Sequence, residues 1–103
     1  MESNELKHEI FKRFGSYKAF VKAFNKAGGD LTPDVLSHQL NGRRGISKFS
    51  GAAYKLFFTA FDLERALTKI YFDEFEVIDG LNQHPTGLNF KEWCNANKIT
   101  TNN

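Results

Sequence analysis

The chain reads as an all-α protein of about five helices, and three features of its 103 residues carry that expectation. Apolar residues recur at the i, i+3, i+4, i+7 spacing of a helix that buries one face. Residues that start and stop helices punctuate those stripes. No segment sustains the apolar-polar alternation of a half-buried strand, and only Phe75 to Ile78 reads as a short extended stretch.

Leu6, Ile10, Phe11 and Phe14 define a first helix, which Gly15 stops. Ser16 is placed to cap a second by accepting from an orphan backbone N–H. That helix carries the stripe Tyr17, Phe20, Val21, Phe24, with Lys18, Lys22 and Lys26 on its polar side. Gly28-Gly29-Asp30 is a strong breaker, and it makes the connection to the next helix wide. Thr32-Pro33 then reads as an N-cap followed by proline at the first helical position, where its missing N–H has no intrahelical role. Leu36 and Leu40 face inward, and Asn41-Gly42 closes this short third helix.

Ser47 caps a fourth helix with the stripe Phe49, Ala52, Ala53, Leu56, Phe57, Ala60, Phe61. Asp62 is placed to cap a fifth, with Leu63, Ala66, Leu67, Ile70 and Tyr71 inward. Whether these two are separate or continuous stays open. Asp79-Gly80 and His84-Pro85-Thr86-Gly87 mark a loop. Asn89 and Glu92 form a capping-box pair before a last short helix with Phe90, Trp93 and Ile99. Thr100 to Asn103 read as a frayed tail.

Composition fits one compact unit built from a core of residues 1–61 and a helical extension of residues 62–103. Eleven Phe residues imply a core of large rings. The lone cysteine, Cys94, has no disulfide partner and reads as a small buried hydrophobe, which fits a reducing cytoplasm. No early stretch resembles a signal peptide, and no apolar run approaches a membrane span. Charge is unevenly divided: residues 1–61 carry ten Lys/Arg against five Asp/Glu, and residues 62–103 carry four against seven. A basic front half points to a polyanionic partner.

The informative stretch runs from Ser16 to Ser47. With Leu36 and Leu40 inward, about 100° per residue turns Asp34, Ser37, His38 and Asn41 outward. Such short polar groups can meet base edges in a major groove. Asp34 can accept from a cytosine amino group, and His38 can serve a purine edge in either sense. Thr32 and the helix N-terminus can hold a phosphate. Arg43, Arg44 and Lys48 lie just beyond the helix, where phosphate contacts fix register, and Tyr17 and Lys18 can touch the neighbouring backbone. Each has a plainer role open to it: Asp34 favouring its own helix dipole, Asn41 as a C-terminal cap, the arginines as solvated charge.

The ordered set Phe20-Val21-x-Ala23-Phe24, Thr32, Leu36, Ser37, Leu40, Asn41, Gly42, Arg43, Arg44 resembles the lambda-repressor-like helix-turn-helix family of phage repressors and Cro proteins. The resemblance covers roughly residues 5–61. It implies a lambda-repressor-like helix-turn-helix domain acting as a transcriptional regulator of phage or prophage, which reads a double-stranded DNA operator through helix 33–41. It also implies a homodimer in the cytoplasm of a bacterial or infected host cell, with the aromatic, acidic C-terminal segment a candidate for dimerisation. Two positions depart from the pattern: residues 25–30 widen the turn, and Val21 stands where a small residue is usual unless Ala23 takes that place. The alternative is a small protein-interaction module, or a phage inhibitor of a host protein, that keeps the fold without binding DNA. The widened turn, Asp34 and the acidic tail favour it.

Nothing in the chain reads as an active site. His8, His38 and His84 lack metal-ligand spacing, and phosphate-loop and dinucleotide motifs are missing. Asp73-Glu74-x-Glu76 reads as solvated charge at a helix end. The expectation is therefore a non-enzyme with no catalytic residues, no metal, no cofactor, no small-molecule ligand and no membrane partner.

Overall fold

A computed structural model describes residues 1–97. Five helices and one hairpin follow in the order α1 (Ser3–Phe14), α2 (Tyr17–Lys26), α3 (Pro33–Leu40), α4 (Lys48–Asp73), β1 (Glu76–Ile78), β2 (Leu81–Gln83) and α5 (Phe90–Ala96). The protein is thus mostly helical. The helical expectation holds in its coarse form, and a small two-stranded sheet is added to it. Ile99 and the tail Thr100 to Asn103 lie outside the described residues. The chain divides into two compact units, Met1–Phe57 and Phe58–Asn103.

In the first unit the expected caps are in place. Ser16 accepts from the Ala19 N–H at 3.2 Å, and Thr32 accepts from the Val35 N–H at 3.2 Å. Ser47 does the same for Ser50 at 3.1 Å. Each cap satisfies a donor that its helix would otherwise leave unpaired, worth roughly 1 kcal/mol. Helix α1 packs on both α2 and α3. Leu6, Ile10, Phe20 and Leu36 are fully buried. Around Phe20 gather Phe14, Phe24, Tyr54 and Phe57, with ring centroids 5.6 to 5.9 Å from its own. Tilted and edge-to-face pairs dominate, as the ring quadrupole favours.

The link from α2 to α3 is six residues long, 27–32. Asn25 holds it: its Nδ2 donates to the Leu31 carbonyl and its Oδ1 accepts from the Leu31 N–H, both at 2.8 Å. One amide side chain thereby satisfies both backbone groups of a buried residue. Gly29 is required by close approach, because a Cβ there would stand 2.4 Å from the Phe24 ring and 2.9 Å from its carbonyl oxygen.

Helix α4 corrects two expectations. Asp62 lies inside it and does not start a helix, so the fourth and fifth helices are one. No Gly or Pro falls between Gly51 and Gly80, and adding a residue to a formed helix costs less than starting a new one. The buried face is also turned from the one expected. Tyr54 and Phe58 are buried, whereas Phe49 is 84% and Leu56 68% exposed. Further along, Leu67 and Tyr71 are buried as expected, but Leu63, Ala66 and Ile70 are not. A helix with apolar residues at most positions offers two plausible stripes, and tertiary partners choose between them. Here Tyr54 gains a ring cluster and a hydrogen bond to Gln39 that Phe49 and Leu56 have no means to make. Phe11, expected on the inward stripe of α1, is likewise half-exposed.

In the second unit Leu67, Tyr71, Trp93 and Cys94 form a core, flanked by Phe75, Leu88 and Phe90. The hairpin pairs Glu76 with Gln83, Val77 with Asn82 and Ile78 with Leu81. Its two-residue turn is Asp79-Gly80, with φ of 52° and 80°. Positive φ at both central positions matches the right-handed strand twist, and Asp-Gly is one of the pairs that adopt it readily. His84 follows, 3% exposed and stacked on Tyr71 at 4.6 Å. The Thr86 N–H donates to its Nδ1, so the ring proton sits on Nε2 and is donated to Glu74 at 2.7 Å. The Tyr71 hydroxyl donates to the Leu88 carbonyl. Asn89 and Glu92 complete the capping box of α5.

Candidate nucleic-acid interface

All ten residues expected to meet DNA lie in the first unit. Thr32, Asp34, Ser37, His38 and Asn41 are exposed on α3 and its two caps, while Leu36 and Leu40 of the same helix are buried. The outward polar row is therefore built by the inward leucine pair. Gln39 fixes the roll of the helix further. It is 4% exposed, its Oε1 accepts from the Tyr54 hydroxyl at 2.7 Å, and its carbonyl accepts from Ser3 at 2.5 Å. Burial pushes the Tyr54 phenol above its ordinary pKa, and the bond to Gln39 partly offsets that.

The basic loop is tied to the end of α3. The N–H groups of Arg43 and Arg44 both donate to the His38 carbonyl, at 2.9 and 3.2 Å. Two orphan donors thus close on one orphan acceptor, and the loop leaves the helix along a defined path. Both arginines are exposed, as is Lys48 on the first turn of α4. Asn41 is the C-cap of α3, and its Nδ2 donates to the Ser37 hydroxyl at 3.4 Å. The Thr32 hydroxyl oxygen is engaged as N-cap, which leaves its hydrogen to donate outward.

Four of the ten residues are brought together in a groove of about 740 Å³ between α2 and α3. Tyr17 and Lys18 line it from α2, with Ser37 and Asn41 opposite. Thr32, Asp34, His38, Arg43, Arg44 and Lys48 lie outside the groove. Sequence reasoning missed Lys7, Val21, Lys22 and Pro33, which also line it. For Val21 and Lys22 a signal existed: they stand four residues after Tyr17 and Lys18, on the same helical face. Lys7 comes from α1, and nothing local marks it. Tyr17 is half-buried, with its ring 4.8 Å from that of Phe11.

Among the described residues no three His, Cys, Asp or Glu side chains gather to hold a metal ion. Among them, too, no helix is long and apolar enough to cross a membrane. Cys94 is buried, and burial followed by the Glu64 carboxylate raises its thiol pKa, which suppresses the thiolate a nucleophile needs. No family model, curated protein or solved structure matches the chain.

Proposed function

We propose that the chain is a transcriptional regulator that binds a double-stranded DNA operator through α3. The observation that carries this reading is the exposed row Asp34, Ser37, His38, Asn41, followed by two arginines whose backbone is fastened to the same helix. A reading helix needs its base-facing side chains fixed relative to its phosphate contacts, because phosphates set register and base edges set sequence. The shared His38 carbonyl supplies that fixed relation. Lys18 and Lys48 add cations on the flanking helices, within a first unit whose balance is basic. The resemblance to repressor and Cro proteins points the same way. On this reading α2 and α3 form a helix-turn-helix with a widened turn, which Asn25 and Gly29 hold in place of the usual tight one.

A single short helix contacts few bases, so operator affinity calls for two copies on a palindrome. The test is a gel-shift titration against DNA upstream of the gene, with scrambled duplex as competitor, repeated over a range of salt. The expected result is a discrete band that resists the competitor and weakens steeply with salt through counterion release. Arg43→Ala with Arg44→Ala should lower the slope of log affinity against log salt by about 2, one for each phosphate that an arginine no longer neutralises. A band lost equally to scrambled DNA, or a slope unchanged in the double variant, overturns the assignment. The protein-interaction alternative, which the widened turn, Asp34 and the acidic tail favour, gains one structural feature, the groove between α2 and α3.

A further inference from the structure

We infer that the groove between α2 and α3 is a docking site for the β1–β2 hairpin of a second copy of this chain. The groove has one sign of charge. Lys7, Lys18 and Lys22 line it, and no Asp or Glu does. Between them the surface is apolar, formed by Val21 and Pro33 over the buried Leu36 and Leu40. At about 740 Å³ it has room for several side chains. An occupant must therefore bring apolar side chains with carboxylates beside them, since a buried cation without a counter-charge is costly.

The chain itself carries such a segment. No Lys or Arg occurs from Ile70 to Phe90. Within that span Val77 is 75% and Leu81 66% exposed, on opposite faces of the hairpin by its register, and Phe72 is 57% exposed, so the hairpin presents apolar side chains to both walls of a groove. Asp73 is paired with Lys69, and Glu74 is held by His84. The carboxylates on offer are thus Glu76 and Asp79, both exposed and each within two residues of Val77. The Asp79-Gly80 turn fixes the hairpin tip in advance, so docking costs little conformational entropy. Groove and hairpin are different surfaces, and each copy offers both, so the contact is heterologous.

Sedimentation equilibrium of the full chain without DNA tests this, from low micromolar to near-millimolar protein in low salt. The weight-average mass should climb above 11.8 kDa with concentration. Val77→Asp with Leu81→Asp on the hairpin, and Lys7→Glu with Lys22→Glu in the groove, should each weaken association about tenfold or more. Mixing the two variants should give stronger association than either shows alone, because one supplies an intact hairpin and the other an intact groove. If the groove variant loses its far-ultraviolet helix signal, Lys22→Glu alone takes its place. A monomer at every concentration, association indifferent to either variant, or a mixture that stays monomeric overturns the inference. The sample holds no DNA, so failure of the operator reading leaves this result untouched.

Discussion

The bond between Tyr54 and Gln39 offers a sharp test of how α3 is held. Both side chains are almost wholly buried, at 2% and 4% exposure, and the hydroxyl donates to Oε1 at 2.7 Å. Tyr54→Phe removes the donor and leaves a buried carbonyl oxygen unpaired, at a cost of about 1–3 kcal/mol. Gln39→Leu removes the acceptor and strands the phenol, at a similar cost. The double variant removes both ends of the bond and leaves an apolar contact, so it should lie within about 1 kcal/mol of the parent. The interaction energy from the cycle is then about 2 kcal/mol or more, well above the few tenths by which unrelated sites fail to add. Urea unfolding followed by far-ultraviolet circular dichroism measures all four proteins. Additive losses, or a Tyr54→Phe variant as stable as the parent, would refute the view that this bond fixes the roll of α3.

Three other outcomes follow from local geometry. Gly29→Ala should destabilise the first unit by more than about 1 kcal/mol in thermal melts, because its Cβ would enter the Phe24 ring and meet a backbone oxygen that has no freedom to retreat. The Arg13 guanidinium, hydrogen-bonded at 2.5 Å, holds the Glu9 carboxyl below its ordinary pKa. Its contribution is therefore present above the unfolded carboxylate pKa and lost as pH falls through the folded one. Glu9→Gln keeps a neutral acceptor for the guanidinium and should cost about 1 kcal/mol at neutral pH, converging with the parent in acid. Cys94 should resist alkylation by iodoacetamide at neutral pH until denaturant opens the second unit, and fast labelling of the native chain would contradict its burial. Because its thiol pKa is raised, the stability it contributes is intact below the unfolded thiol pKa and falls as pH rises through the folded one.

What the sequence made legible was local punctuation. Ser16, Thr32, Ser47 and Asn89 each do as caps what their residue type predicts, since capping depends on neighbours within one turn. The Asp79-Gly80 turn was equally local, and the extended stretch Phe75 to Ile78 contains β1, whereas β2 is only three residues long, too short for alternation to register. The inward face of α4 was not legible. Phe49, Leu56, Leu63 and Ile70 stand seven residues apart and imitate a core stripe, but the hydrophobic effect has no direction of its own. The choice fell to Tyr54, whose hydroxyl demands a partner that only Gln39 of α3 supplies.

The site divides along the same line. The outward row on α3 followed from two leucines and the helical period, both readable within eight residues. The groove beside it depends on the span between α2 and α3, which Asn25 sets by gripping Leu31. That span matters for function, because Tyr17, Lys18, Ser37 and Asn41 line the groove and also belong to the proposed DNA surface. If both proposals hold, a duplex and a second copy's hairpin compete for the same side chains. An acidic hairpin seated between lysines would then stand in for phosphate, and operator DNA would drive the associated protein apart as it binds. Linkage requires the converse as well: protein concentrated enough to self-associate through the groove would bind its operator with lower apparent affinity.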